Sequence, residues 1–247
     1  MSFCKDCTTG VTHEGTPEGK IETISGVECY IATPTVDYPK DKVFLFLTDA
    51  FGVSLPNNQL LADNFARNGF KTIVPDYLHG DGFPTDIMKT PGLLDLPKWL
   101  STHGTADTPP LLDSVIAALK ADGVTSFGAT GYCFGGRYVF DLAFDGIISA
   151  ASVAHPSLLQ VPSDLEKYVV VATAPLLINS CENNWQFTLE AQAQADKIFA
   201  GFQGYKREFF EGCTHGFAVR GDLSDVKVKA GKEGAFKATI AWMLKHM

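Results

Sequence analysis

Long apolar runs are missing from this sequence. The longest, Val43-Phe44-Leu45-Phe46-Leu47, is far too short to cross a bilayer, so no membrane partner is expected. Charge is sparse at 19% of residues, without a basic run, and 28 acidic against 20 basic side chains leave a net charge of −8. Such a surface is a poor partner for nucleic acid or anionic lipid. No repeat, low-complexity tract or linker interrupts the 247 residues, a length that α/β folds often reach as one domain. The start, Met1-Ser2-Phe3-Cys4-Lys5-Asp6-Cys7, has no apolar signal-like core. Six cysteines without such a signal are expected to be reduced thiols rather than a disulfide framework. Cys4 and Cys7 have C-x-x-C spacing, but no second ligand pair accompanies them and no strand precedes them, so neither metal nor redox chemistry is expected there. A cytoplasmic protein is expected, as a monomer or homodimer.

What is present is an alternation of strand and helix signals. After an arm over residues 1–20, Ile21–Ile24 and Val27–Ile31 suit a hairpin across Ser25-Gly26. Val43–Thr48 is a strand of the kind covered on both faces. A helix should follow from Asn57 or Asn58 as cap to Arg67, then a strand over Phe70–Val74. Residues 75–110 are rich in Gly, Pro and His and are expected to form an irregular lid or pocket wall. Further on come a helix from Pro109-Pro110 to Leu119, a strand Ser126–Tyr132 and a helix Phe134–Phe144. Strands at Ile147–Ala154, Pro175–Asn179 and Tyr205–Phe210 follow, with helices at Phe187–Phe202 and Lys232–Lys245. The pattern predicts a single α/β domain over 21–247, with a mostly parallel doubly wound sheet and helices on both faces.

One stretch carries chemistry. Gly131-Tyr132-Cys133-Phe134-Gly135-Gly136 has the spacing of the G-x-S-x-G nucleophile elbow with sulfur in place of oxygen. In that turn the nucleophile sits between strand and helix in a strained conformation, so the residues two before and two after must be small. The N–H of Phe134 would face a developing oxyanion, and the helix N-terminus would favour thiolate. Among the six histidines, His215 lies after the last main strand, where this fold places the base; His13 in the arm and His246 in the last helix are read as solvated bystanders. The residue that orients the histidine should lie in Ser180-Cys181-Glu182-Asn183-Asn184-Trp185. Glu182 and Asn184 can each accept the Nδ1 proton, and the choice stays open.

These residues, with Thr48-Asp49-Ala50-Phe51-Gly52, Pro75-Asp76-Tyr77-Leu78-His79-Gly80-Asp81, Ala154-His155-Pro156-Ser157 and Thr214-His215-Gly216-Phe217, resemble the dienelactone hydrolases, in particular their fungal branch. The resemblance runs along nearly the whole chain and includes Cys7-Thr8-Thr9-Gly10 and His13-Glu14-Gly15-Thr16-Pro17. It implies an α/β-hydrolase that cleaves an ester or lactone, with Cys133 as nucleophile, His215 as base, and the N–H groups of Phe134 and Ala50 as oxyanion donors. It implies no metal or organic cofactor. Asp49 takes the place of a carboxylate that influences the thiol in bacterial members, and Arg220 stands near an arginine for a substrate carboxylate. The sequence departs from the family twice: the triad aspartate falls on Asn184, and the bacterial arginine after the Pro75-Asp76 segment is replaced by His79-Gly80-Asp81.

Around this centre, Phe51, Tyr77, His79, Trp185 and Phe217 are candidate pocket residues. His155 is either a substrate contact or a residue that hydrogen-bonds the following turn. Cys181 and Cys213 read as packing. Asn184 also keeps open a Cys-His dyad, a weak or inactive protein that retains the pocket to bind a ligand, and a lactone-processing enzyme of fungal secondary metabolism.

Overall fold

The computed structural model describes residues 10–88, 96–104 and 107–247. Cys4 and Cys7, and part of the expected lid, lie outside the described residues. Eight strands form one sheet in the order β1-β2-β4-β3-β5-β6-β7-β8. They are β1 (Lys20–Ile24), β2 (Val27–Ala32), β3 (Lys42–Leu47), β4 (Thr72–Pro75), β5 (Ser126–Tyr132), β6 (Ala150–Ala154), β7 (Leu176–Asn183) and β8 (Tyr205–Thr214). The β1–β2 and β2–β4 pairs are antiparallel and every other pair is parallel. The doubly wound α/β class read from the alternation is the class observed.

The central strands are buried on both faces because they carry apolar side chains on both. From Val43 to Leu47 every residue of β3 is fully buried. Helix α1 (Pro56–Arg67) covers one side, with Phe65 edge-on to Phe44 at 4.9 Å. Its expected cap is corrected: Pro56 starts the helix after Leu55, and Asn57 and Asn58 lie buried in its first turn. Pro fits there because that N–H has no partner within the helix anyway.

The irregular stretch contains a 3₁₀ turn (Thr85–Met88) and α2 (Leu96–Thr102) before α3 (Thr108–Ala121). Helix α4 (Gly135–Phe144) starts one residue later than expected. An unexpected helix, α5 (Ser163–Val171), packs Tyr168 among Phe140, Phe144, Phe199 and Phe202. The expected helix over Phe187–Phe202 is shorter: α6 spans Leu189–Ile198, capped by Thr188 Oγ1, which accepts from Ala191 N, and a 3₁₀ turn follows. Strands β7 and β8 extend past their predicted ends, to Asn183 and Thr214. A short α7 (Phe217–Arg220) precedes α8 (Val226–His246), which Asp225 caps.

Residues 11–19 strap the molecule. Val11 N donates to Arg220 O, and the Asn57 amide donates to Val11 O and Val219 O. His13 Nε2 meets Gly221 O at 2.9 Å, and Lys232 Nζ donates to its Nδ1 at 2.9 Å. The expectation of a solvated His13 is therefore corrected. Asp63 accepts from Glu18 N, Gly19 N and Tyr30 Oη. Among the described residues no helix is long and apolar enough to cross a membrane.

Candidate active site

Six parallel strands end along one edge of the sheet, where ligands gather in open α/β folds. At the tip of β5, Cys133 adopts φ 51°, the left-handed region that costs a residue with a Cβ about 1–3 kcal/mol. Two glycines make this turn possible. A Cβ at Gly135 would lie 2.2 Å from the Leu47 carbonyl oxygen, and one at Gly131 would lie 2.5 Å from the Gly135 carbonyl oxygen. Backbone bonds hold the strain: Cys133 N donates to Ala154 O, its carbonyl accepts from Gly136 N and Ser157 N, and Gly135 N donates to Thr48 O. The sulfur is buried and lies 3.4 Å from Ser157 Oγ.

Beyond β3, Asp49 is fully buried. Its Oδ1 accepts from Phe51 N and from the Asn58 amide, and its Oδ2 lies 3.6 Å from the Arg220 guanidinium. Burial pushes this carboxyl above its ordinary value; Arg220 opposes the rise, and the nearby Cys133 adds to it. Arg220, expected near a substrate carboxylate, is 1% exposed, faces Asp49 and covers the Phe51 ring at 5.0 Å. Gly216 turns left-handed at φ 92° to let it in, since a Cβ there would lie 2.2 Å from an Arg220 nitrogen.

Where β8 ends, His215 follows the Asn183–Thr214 pair and its N–H donates to Asn183 O. Its Nδ1 lies 3.0 Å from Asn184 Oδ1. That oxygen also accepts from Gln186 N and Phe187 N, at 3.1 and 3.2 Å. Two backbone donors fix which amide atom is oxygen, so Nδ1 must carry the imidazole proton and Nε2 the lone pair. Nε2 is buried with no hydrogen-bond partner among the described residues. Glu182, the alternative orienter, is exposed and accepts from Gly212 N at 2.7 Å. It takes no part in this contact.

His155 ends β6 at φ 37°, fully buried, with its ring 4.9 Å from the His215 ring and 5.6 Å from Phe217. Neither of its ring nitrogens has a hydrogen-bond partner among the described residues, so of the two alternatives the bond to the following turn is not formed. Burial, with His215 and Arg220 as neighbours that also disfavour a proton, holds this imidazole far below its ordinary value. Tyr77 donates to Thr48 O at 2.6 Å and stacks on Phe134 at 6.2 Å. Trp185 is half-buried beside Asn184. Ala50 is buried, and its carbonyl accepts from Phe83 N. His79 is set apart: it is exposed and borders a separate surface concavity with Gly26, Glu28 and Asp76. Sequence reasoning missed Ser157 and Asn58, for which no spacing rule exists.

The dienelactone hydrolase family model matches residues 27–247. The chain belongs to the dienelactone hydrolase family. As a member it is a carboxylic ester hydrolase by class. It is 30% identical over 247 residues to hydrolase pyvD of Aspergillus violaceofuscus, covering 98% of this chain and 96% of that one. It is 32% identical to dienlactone hydrolase 1 of Gibberella moniliformis, covering 96% and 91%. A putative dienelactone hydrolase from Klebsiella pneumoniae has the same fold, with a TM-score of 0.70 at 18% identity over 96% of this chain and 97% of that one.

Proposed function

We propose that this dienelactone hydrolase family member cleaves a small ester or lactone through a thioester on Cys133. His215 Nε2 takes the thiol proton and the thiolate attacks the carbonyl carbon, with the N–H groups of Ala50 and Phe134 receiving the oxyanion. Collapse of the tetrahedral species expels the alkoxide, which recovers the proton from His215. Water then gives a proton to Nε2 and attacks the thioester, releasing acid and thiolate.

The bond from His215 Nδ1 to Asn184 Oδ1 at 3.0 Å carries this proposal, because it aims an unprotonated nitrogen from the correct element. An amide gives the imidazolium no counter-charge. A thiol is acidic enough to need less help than a serine hydroxyl, so sulfur suits this support.

The substrate class we favour is uncharged. Asp49 already balances Arg220, which leaves little field for a substrate carboxylate. Mixing the protein with a chromogenic acetate ester should give a burst and an acetyl adduct on Cys133 by mass spectrometry. Cys133→Ala should show neither. An undiminished burst in that variant overturns the nucleophile, and a strong preference for carboxylated over neutral lactones overturns the substrate class.

A further inference from the structure

We propose that Ser157 is a positioning residue for the thiol, its hydroxyl holding Cys133 Sγ and stabilising it as thiolate; this rests on Cys133 being the nucleophile proposed above. Ser157 grips the elbow twice. Its backbone N–H donates to the Cys133 carbonyl at 2.9 Å, and its Oγ lies 3.4 Å from Sγ. The hydroxyl is buried, and the sulfur is its hydrogen-bond partner among the described residues. With a thiol either atom can donate, but with a thiolate only the hydroxyl can. A bond to an ionised acceptor is about twice as strong as a neutral one, so the contact shifts the thiol equilibrium toward thiolate.

The surroundings make such help useful. Asp49 and Tyr77 both couple to the charge on Cys133, and the buried Asp49 carboxylate works against a second negative charge. On the positive side stand Arg220, which Asp49 already engages, and His215; the adjacent His155 is held neutral. The N-terminus of α4 adds a favourable dipole. Ser157 is a neutral donor in direct contact with the sulfur. The turn after β6 thus contributes through Ser157 Oγ what a charged neighbour contributes elsewhere, without a second ion to bury.

The test is the pH profile of Cys133 alkylation by iodoacetamide in the full chain, followed by mass spectrometry. In Ser157→Ala the midpoint should rise by about one pH unit, a roughly tenfold fall in thiolate at a pH below it. The fall should appear in the acylation rate while KM stays within about twofold. Ser157→Thr, which keeps the hydroxyl, should restore the wild-type profile. An unmoved midpoint in Ser157→Ala overturns the assignment, as does an equal shift in both variants, which would mark a packing effect. Failure of the underlying nucleophile proposal looks different: iodoacetamide would leave Cys133 unlabelled in the wild type.

Discussion

At the scale of single residues, the contact between Asn184 and His215 decides most. Two backbone N–H groups hold the amide oxygen in place, so the imidazole tautomer is set before any substrate arrives. Asn184→Ala should lower kcat/KM about 100-fold, the low end of what a well-placed acid–base group supplies, with KM little changed in steady-state ester hydrolysis. Asn184→Asp should retain at least wild-type kcat/KM, since a carboxylate accepts the same three donors and also steadies the imidazolium. A slower Asn184→Asp enzyme would mean that the amide is needed for its own sake. The loop that holds Asn184 was legible in the sequence because it follows β7 in chain order, but the choice between Asn184 and Glu182 as the partner of His215 was open until the contacts were seen in three dimensions. Ser157 was quoted in a motif but not chosen. Its contact with Cys133 spans 24 residues, and a serine that holds a sulfur has no signature in spacing.

Elements show the same division. The β3 and β5 strands and the elbow were readable, because apolar runs and paired glycines leave the backbone few alternatives. Helix α5 was not, because Val169-Val170-Val171 is β-branched and disfavours a helix; packing around Tyr168 overrides that local preference. The ends of β7 and β8 were missed since Ser180, Glu182 and Asn183 lack strand character, and pairing between the two strands supplies the order instead. The elbow itself makes a sharp prediction. Gly135→Ala puts a methyl against the Leu47 carbonyl, so α4 must move off β3. Loss of about 3 kcal/mol in urea unfolding is expected, as for overpacked cores, together with slower Cys133 alkylation in the molecules that fold. Wild-type stability in this variant would mean that the turn is looser than its geometry implies.

The whole molecule carries a pH dependence that follows from partly buried basic groups. Burial lowers Lys232 to about 7, and burial with Lys232 nearby lowers His13. Each of these groups, like His155, binds protons more readily unfolded than folded. Stability should therefore rise with pH: through the histidine range below 6.5, then through the lysine range from about 7 toward 10.5. Asp49, raised by burial, pulls the other way as pH rises above 3.8. Denaturant midpoints from pH 7 to 9 should climb in the wild type and flatten in Lys232→Met. A climb of equal slope in that variant would assign the dependence to other groups.

The strap also orders events in time. His13 and Lys232 are 219 residues apart, so the arm is synthesised long before its anchor. A growing chain can build β3, β5 and the Cys133 turn while residues beyond 200 are still unmade, yet His215, Arg220 and the seat for the arm do not exist until then. A ribosome-bound intermediate of this protein would hold Cys133 without His215 and an arm without its clasp. Maturation is therefore expected to be abrupt, coming once residues 215–232 have been made rather than by degrees.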